Sequence, residues 1–251
     1  MKTILLTNDD GIEADGLLRL AKATRRFGKV YIVAPAHQRS AASHSISLHS
    51  PVDVFPYAYP LEGVTAFASS GMPGDCVRVG SLAVLDQKPD IVLSGINNGY
   101  NVASDIQYSA TAGAAFEASF QGLTAVALSE GFDHHEVTDA MLDTILEKVF
   151  DAKPVEGQII NVNFPECPLA EFRGIREGTI VSRSMVFRDT YDMIEELENG
   201  KRYMVHGTHC YDAEEGTDYR ALLDGYISIG VVNNVGYPVV PYETVFSTRN
   251  T

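Results

Sequence analysis

The first eleven residues constrain the fold of this chain more than any other stretch. Residues 4–6 (Ile-Leu-Leu) form a short apolar run of the kind that fills a buried parallel strand. The run leads into the polar residues Asn8, Asp9 and Asp10, and Gly11 follows them. Because ligands of open α/β sheets bind just beyond the carboxyl ends of the strands, we predict a ligand site at this point.

Asp9 and Asp10 place two carboxylates side by side at the predicted site. Like charges this close repel each other, and Mg²⁺ and Mn²⁺ are hard ions that prefer such oxygen ligands. Neighbouring side chains of a strand point to opposite faces, so the two carboxylates can share an ion only if the strand has ended, which Gly11 permits. The alternative is an Asx-turn or a helix N-cap. The strand before the pair and the helical pattern after it favour the metal.

The pattern that follows predicts alternating helices and strands. Residues 12–27 have a helical apolar face with Gly28 as a stop signal, and residues 29–35 form a second apolar strand, which together give a βαβ unit with a right-handed crossover. Further strands are predicted at residues 52–67, 91–93, 123–128 and 158–165, and further helices at residues 75–85 (with Asp75 as the N-cap), from residue 109 onwards and at 139–150. We therefore predict an α/β fold with a Rossmann-like, mostly parallel sheet and helices on both faces.

A change in composition after residue 165 divides the chain. We predict a catalytic core of residues 1–165 and a C-terminal extension of residues 166–251 that completes the same domain. Residues 172–187 alternate as strands do, and the turn signal Asn199-Gly200 predicts a protruding β-hairpin arm over residues 188–215, of a kind that often serves oligomerisation. The remaining elements of the extension are a short helix capped by residues 216–218, a last strand at 225–232 and a tail that packs on a neighbouring subunit or is loose.

Charge and composition exclude several classes of partner. Lys and Arg number 19 against 33 Asp and Glu, and the net charge of −14 disfavours a large nucleic-acid interface. A bound metal can still attract a small phosphorylated substrate. The three cysteines are widely spaced and form no zinc or disulfide pattern, which indicates a reducing compartment. Without a recognisable signal peptide or an apolar run of about 20 residues, we predict a cytoplasmic protein with no membrane partner.

Three later stretches carry polar groups to the same edge of the predicted sheet. Residues 36–48 are rich in hydroxyls, and Ser40 can supply a metal ligand, although a solvated loop is the interpretation that this stretch alone favours. Residues 94–101 alternate glycines with amide side chains that can approach a ligand closely. Ser109 and Thr111 begin an alanine-rich helix, which predicts either a phosphate site at its N-terminus or an N-cap on a core helix. The pair His134 and His135 is better explained by a surface loop than by a metal site, because adjacent side chains point apart.

The motifs of this chain resemble those of one protein family, the SurE family (survival protein E), in the same order over nearly the whole length. The matching segments are residues 7–11 (Thr-Asn-Asp-Asp-Gly), 39–40 (Arg-Ser), 71–77 (Gly-Met-Pro-Gly-Asp-Cys-Val), 94–101 (Ser-Gly-Ile-Asn-Asn-Gly-Tyr-Asn), 108–111 (Tyr-Ser-Ala-Thr), 216–219 (Gly-Thr-Asp-Tyr) and 225–228 (Gly-Tyr-Ile-Ser). The resemblance implies a metal-dependent phosphatase that acts on nucleoside 5′- and 3′-monophosphates and in some members on short polyphosphate. It also implies a C-terminal extension exchanged between subunits, and hence a homodimer or homotetramer.

The resemblance also implies roles for individual residues. One divalent ion per subunit, Mg²⁺ or Mn²⁺, is expected on Asp9, Asp10, Ser40 and Asn97. Substrate and phosphate contacts are expected from four side chains, namely Asn8, Asn101, Ser109 and Thr111. Asp9 and Asp10 are the expected catalytic residues, and the sequence leaves open which of them accepts the proton of the attacking water and whether a carboxylate attacks directly.

Two positions depart from the family pattern. Ala41 and Ala110 stand where the family usually has glycine, and an alanine is strained if either position requires a positive φ. The departures keep open a second function, a non-hydrolytic protein that binds nucleotide or phosphate on the same fold. A phosphatase of the haloacid-dehalogenase type is excluded, because its Asp-x-Asp motif would need an aspartate where this chain has Asn8.

Overall fold

The computed structural model of this chain describes residues 2–153 and 156–233. The strands of the described residues are β1 (Lys2–Thr7), β2 (Gly28–Pro35), β3 (Val54–Tyr57), β4 (Val64–Ser69), β5 (Ile91–Asn98), β6 (Thr124–Glu130), β7 (Gln158–Phe164), β8 (Gly174–Thr179), β9 (Phe187–Leu197), β10 (Gly200–His209) and β11 (Tyr226–Asn233). The α-helices are α1 (Asp15–Thr24), α2 (Pro73–Val79), α3 (Ala110–Phe120), α4 (Glu136–Phe150) and α5 (Asp218–Leu223). The predicted tail beyond residue 233 lies outside the described residues.

Nine strands form one sheet in the order β3-β4-β2-β1-β5-β6-β7-β11-β8. The strands from β4 to β7 all pair in parallel, whereas β3 is antiparallel to β4 and β11 is antiparallel to β7. This confirms the predicted α/β fold with a mostly parallel sheet. The chain builds outwards in one direction from β1 and then in the other from β5, so the order reverses between these two strands. Ligands bind at such a switch point in open α/β sheets.

The helices cover both faces of the sheet, as predicted. On one face, Leu17 and Leu20 of α1 and Ile145 of α4 are buried in the same core as Ile4 and Leu6 of β1. On the other face, residues of α2 and α3 are buried with Leu5. The alternation follows from the two-residue period of a strand buried on both sides, and it holds the carboxyl ends of the strands in fixed relative positions. No helix in the described part of the chain is both long and apolar enough to cross a membrane.

Several predicted boundaries were wrong. The helix predicted at residues 12–27 spans only Asp15–Thr24, and the helix predicted at 139–150 begins earlier, at Glu136. Asp75 is not an N-cap: it lies in the first turn of α2, where its carboxylate accepts hydrogen bonds from the backbone N–H of Met72 (3.0 Å) and of Ser47 (2.9 Å). The predicted continuation of that helix is a π-helical turn at Gly80–Val84.

The C-terminal extension supplies both sheet strands and a separate hairpin. Within the predicted strand region 172–187, the regular strand is Gly174–Thr179, and it joins the main sheet beside β11. Strands β9 and β10 form the predicted arm as a two-stranded antiparallel sheet with Glu198 and Asn199 at its turn. Nearly every residue of the arm is exposed, including all of its large apolar side chains except Phe187. A two-stranded hairpin is only marginally stable by itself, so its apolar side chains are available for a further contact.

Candidate active site

The predicted site lies at the switch point of the sheet. Thr7, the last residue of β1, pairs with Ser94 of the neighbouring β5, so the loops that leave both strands start side by side. Asp9 and Asp10 lie in the first of these loops, and Asn97 lies near the end of β5. The apolar strand interior fixes the position of these polar residues, because burial on both faces determines where each strand ends.

Asp9 is buried, with 3% of its surface exposed. Its carboxylate accepts a 2.6 Å hydrogen bond from Thr111 Oγ1 in the first turn of α3, and its backbone oxygen accepts one of 2.6 Å from the N–H of Arg39. Burial raises the pKa of Asp9 to about 6, against the lowering effect of the Thr111 hydrogen bond and with a further increase from the charge of Asp10. The ionised carboxylate is therefore destabilised in the protein, as expected for a site that binds a cation.

Asp10 is half-buried and lies between two loops. Its Oδ2 accepts a 3.0 Å hydrogen bond from the backbone N–H of Asn98, and Gln38 Nε2 lies 3.4 Å from its Oδ1. The same Gln38 amide donates to Ser40 Oγ at 2.9 Å, so one side chain connects Ser40 with Asp10. Burial raises the pKa of Asp10 more than the hydrogen bonds from Asn98 and Gln38 lower it. Gln38 thus connects Asp10 and Ser40, two of the predicted metal ligands, although nothing in the sequence pointed to Gln38.

Asn97 and Asn8 each use the amide nitrogen locally. Asn97 Nδ2 donates to the backbone oxygen of Gly99 at 2.7 Å, and Asn8 Nδ2 donates to that of Gly11 at 2.8 Å. Both bonds leave the side-chain carbonyl oxygen as the unused end of the amide. Asn8 Oδ1 is buried and has no hydrogen-bond partner among the residues that the structure describes. A buried polar atom of this kind needs a partner, such as an ordered water or a ligand.

The start of α3 combines the two predicted roles. Ser109 is the N-cap, and its Oγ accepts a 2.9 Å hydrogen bond from the backbone N–H of Ala112. Its hydroxyl proton is still available as a donor. Thr111, two residues further along, is fully buried and its hydroxyl donates to Asp9. The N-terminus of the helix therefore lies at the carboxylate pair, where its positive end favours an anion.

Asn101 is held by a polar network on the neighbouring strands. Its backbone N–H donates to Asn163 Oδ1 (2.8 Å), its backbone oxygen accepts from the amides of Asn161 (2.8 Å) and Asn163 (3.2 Å), and its own Nδ2 donates to Ser129 Oγ (2.7 Å). The side chain of Asn101 is thus engaged in this network, and no hydrogen bond connects it to Asp9 or Asp10. Sequence analysis missed Asn161 and Asn163, although polar residues at the end of an apolar strand are the signal that identified Asn8.

The hydroxyl-rich loop of residues 36–48 is largely exposed, and hydrogen bonds anchor it to neighbouring parts of the chain. The backbone N–H of Ser43 donates to the backbone oxygen of Tyr108 at 2.9 Å, and His44 Nε2 lies 3.0 Å from the carboxylate of the buried Glu117 in α3. Ala41 adopts a φ of 56° and Ser43 one of 55°, both in the left-handed region. The strain anticipated at Ala41 is therefore present, and it lies directly beside Ser40.

Glu117 is the buried anchor of that loop. Burial raises its pKa, but the hydrogen bonds from His44 and Gln121 and the charge of Arg78, 3.3 Å away, lower it by more, so the pKa lies below its usual value. The residue is 6% exposed, so its ionised form depends on these partners.

Only one histidine of the adjacent pair reaches the site, since His135 lines a small cavity together with Asp10 and Gln38. His134 is exposed. His135 directly precedes α4, and its Nε2 lies 3.1 Å from the backbone oxygen of Gly131. Within residues 2–153 and 156–233, no group of three His, Cys, Asp or Glu side chains converges as a metal site. The predicted ligand set has only two carboxylates and adds Ser40 and Asn97 as neutral oxygen donors, so it differs in kind from such a group.

Comparison with known proteins agrees with the geometry. A family model described as Survival protein SurE matches residues 4–188. The chain is 38% identical over 229 residues to the protein named 5′/3′-nucleotidase SurE of Escherichia coli O127:H6, a match that covers 90% of this chain and 88% of that protein. It is 36% identical over 251 residues to the 5′-nucleotidase SurE of Caldanaerobacter subterraneus subsp. tengcongensis, covering 97% and 94% of the two chains. The crystal structure of the SurE protein from Aquifex aeolicus matches 98% of each chain with a TM-score of 0.79 and 29% identity. This chain belongs to the SurE family.

Proposed function

We propose that this chain is a metal-dependent phosphatase that hydrolyses nucleoside 5′- and 3′-monophosphates to nucleoside and phosphate. The observation that carries the proposal is the buried Asp9 carboxylate, bonded to Thr111 at the N-terminus of α3 and adjacent to Asp10 at the switch point. The activity itself is supported by the relative from Escherichia coli, which is named a 5′/3′-nucleotidase. Short polyphosphate is a further candidate substrate.

The side chains at the site fit one divalent ion. Among the described residues no lysine or arginine side chain forms an ion pair with Asp9 or Asp10, although burial raises the pKa of both. Two carboxylates with the oxygens of Ser40 and Asn97 form a hard donor set that suits Mg²⁺ or Mn²⁺. When bound, such an ion polarises a phosphoryl oxygen and lowers the pKa of a coordinated water.

The residues of the chain then have distinct tasks. Thr111 holds the Asp9 carboxylate in place, and the positive end of α3 with the Ser109 hydroxyl stabilises the non-bridging phosphoryl oxygens as charge develops on them. Asn8 Oδ1 and Asn101 are the remaining proposed substrate contacts. Either Asp9 or Asp10 acts on the phosphate ester. Its carboxylate accepts the proton of the attacking water, or it attacks phosphorus directly.

The test is phosphate release from a panel of nucleoside 5′- and 3′-monophosphates in the presence of Mg²⁺, Mn²⁺ or a chelator. Release that requires a metal and differs between nucleotides supports the proposal and identifies the preferred substrates. Nucleotide binding without release under any of these conditions contradicts it and supports the non-hydrolytic alternative. Ala41 and Ala110 are then the first positions to change to glycine.

The oligomeric state, the division into domains and the cellular location stay predictions. We propose a homodimer or homotetramer formed through the arm of β9 and β10 and the C-terminal tail, in keeping with the exposed apolar side chains of the arm. The division into a core of residues 1–165 and an extension of 166–251 is likewise a proposal. A cytoplasmic location, and the absence of a membrane or nucleic-acid partner, are predictions from the sequence alone.

A further inference from the structure

A groove is lined by Tyr100, three residues after the proposed metal ligand Asn97, and one wall of the groove is an exposed aromatic ring. We propose that the base of the nucleotide stacks on the open face of Phe132, an inference that rests on the proposed nucleotidase activity. The groove has a volume of about 1050 Å³, and Tyr100 and Phe132 are among its lining residues. Phe132 is 57% exposed, so its ring is accessible from the groove.

Gly99 connects this ring to the proposed metal site. A Cβ placed on Gly99 would lie 2.9 Å from Cζ of Phe132, so the ring packs directly on the glycine backbone. The backbone oxygen of the same glycine accepts the hydrogen bond from Asn97, a proposed metal ligand. The tip of the phenyl ring, at Cζ and Cε1, therefore contacts the loop that carries Asn97, and the contact lies two residues from that proposed ligand. A group attached to a phosphate bound there can reach the ring.

The loop that carries Phe132 is fixed in place. Both carboxylate oxygens of Glu166 accept backbone hydrogen bonds from it, one from the N–H of Phe132 and one from the N–H of Asp133, each at 3.1 Å. The backbone N–H of Glu166 in turn donates to the hydroxyl of Tyr100. These bonds connect the loops that follow three neighbouring strands, β5, β6 and β7. A ring held in this way loses little conformational freedom when a flat ligand stacks on it.

The charge of the groove indicates which part of a nucleotide it accepts. Carboxylates outnumber cationic groups along the lining, which includes Asp105, Asp133, Glu166, Glu171 and Asp224 with the guanidinium of Arg173. A second phosphate group is disfavoured on such a surface, whereas an uncharged base with amino groups that donate hydrogen bonds is compatible with it. Aromatic rings stack on any base, so the surface selects for a base but discriminates weakly among bases.

The experiment compares two phosphate esters with the full-length chain and its divalent ion. For 5′-AMP, Phe132→Ala raises KM about tenfold or more, the loss expected for one base–aromatic stack, and leaves kcat within about twofold. For glycerol 2-phosphate, which has no base, the same variant changes neither constant. Phe132→Tyr retains the stack and restores the parent KM for 5′-AMP. The matched control is Phe55→Ala, which removes an equally exposed phenyl ring (64%) on the edge strand β3 and leaves both substrates unaffected.

The outcomes separate the inference from the function on which it rests. An unchanged KM for 5′-AMP in Phe132→Ala overturns the inference, as does an equal change for both esters or a change that accompanies altered oligomeric state. If the parent hydrolyses neither ester with Mg²⁺ or Mn²⁺, the proposed function fails. Equilibrium dialysis with 5′-AMP then tests the groove directly, since the inference requires weaker binding by Phe132→Ala and unchanged binding by Phe55→Ala.

Discussion

Ala41 is in a conformation that favours glycine, and this makes Ala41→Gly a stabilising substitution. Ala41 has a φ of 56°, in the left-handed region where the Cβ of an L-residue approaches its own backbone. The position is exposed, so removing the methyl group leaves no cavity. We therefore predict that Ala41→Gly raises the free energy of unfolding, because it removes backbone strain at a position next to Ser40.

The magnitude follows from two opposing contributions. A residue with a Cβ loses roughly 1–2 kcal/mol in the left-handed region. Glycine adds conformational freedom to the unfolded chain, which opposes the gain by about 0.4–1 kcal/mol. The net stabilisation is about 0.5–1 kcal/mol, and with a urea m-value of about 3 kcal/mol/M the midpoint of unfolding rises by about 0.2–0.3 M.

Ala110 is the matched control, because it departs from the family pattern in the same way but lies in a different conformation. It is fully buried and is the first residue of α3, so its φ is helical. Ala110→Gly loses about 1 kcal/mol of helix propensity and about 0.8 kcal/mol of buried methyl surface, and the midpoint falls. Urea unfolding followed by far-UV circular dichroism measures both variants. If the midpoint of Ala41→Gly is unchanged or lower, Ala41 is not strained. If the midpoint of Ala110→Gly is higher, the effect does not depend on the positive φ that distinguishes Ala41 from Ala110.

Three further substitutions test the surroundings of the site. Thr111→Val removes the donor to the buried Asp9, so we expect a loss of about 1–3 kcal/mol in urea unfolding at pH 8, largely restored by Thr111→Ser. Asn163→Ala leaves the buried backbone N–H of Asn101 unpaired, and thermal unfolding is expected to show a loss of about 2–3 kcal/mol. The pKa of Glu117 lies below its unfolded value of about 4.5, so its stabilisation is present above that pH and is lost as the pH falls. Glu117→Gln is therefore less stable than the parent at pH 7, and urea midpoints must show the difference shrinking between pH 5 and pH 3.

Much of the fold was predictable because the core strands are nearly continuous apolar runs. β1, β2, β5, β6 and β7 are such runs, and each was placed within a few residues. The boundaries of helices were less predictable. Asp75 has the residue type of an N-cap, but Pro73 already occupies the first turn of α2 and the carboxylate is used by Ser47, 28 residues away. Contacts of that kind override local preference, and a sequence pattern does not contain them.

The candidate site was predictable in its location but not in its connections. The sequence placed Asp9 and Thr111 at strand and helix ends, and the structure joins them by a hydrogen bond across 102 positions of sequence. Gln38, which bridges Asp10 and Ser40, was missed because an exposed glutamine carries no local signal. The contact of His44 with Glu117 in α3, which anchors the hydroxyl-rich loop, joins residues 73 positions apart, so no local pattern predicts it.

We propose that the carboxylates of Asp9 and Asp10 are required for metal-dependent hydrolysis. The substitution Asp10→Asn tests this requirement directly. The amide has the same shape and retains an acceptor for the N–H of Asn98, but it lacks the charge that holds the ion. Asp143→Asn is the control, because it removes a charge from an exposed carboxylate that pairs with Arg26 and lies outside the cavity that Asp10 lines.

The measurement is phosphate release from 5′-AMP by the parent and both variants, with Mg²⁺ or Mn²⁺ and with a chelator. We expect metal-dependent release by the parent and by Asp143→Asn. For Asp10→Asn we expect a loss in kcat of at least about 100-fold with an unchanged circular dichroism spectrum. Release by Asp10→Asn at the parent rate, or release by the parent that persists in the chelator, contradicts the account.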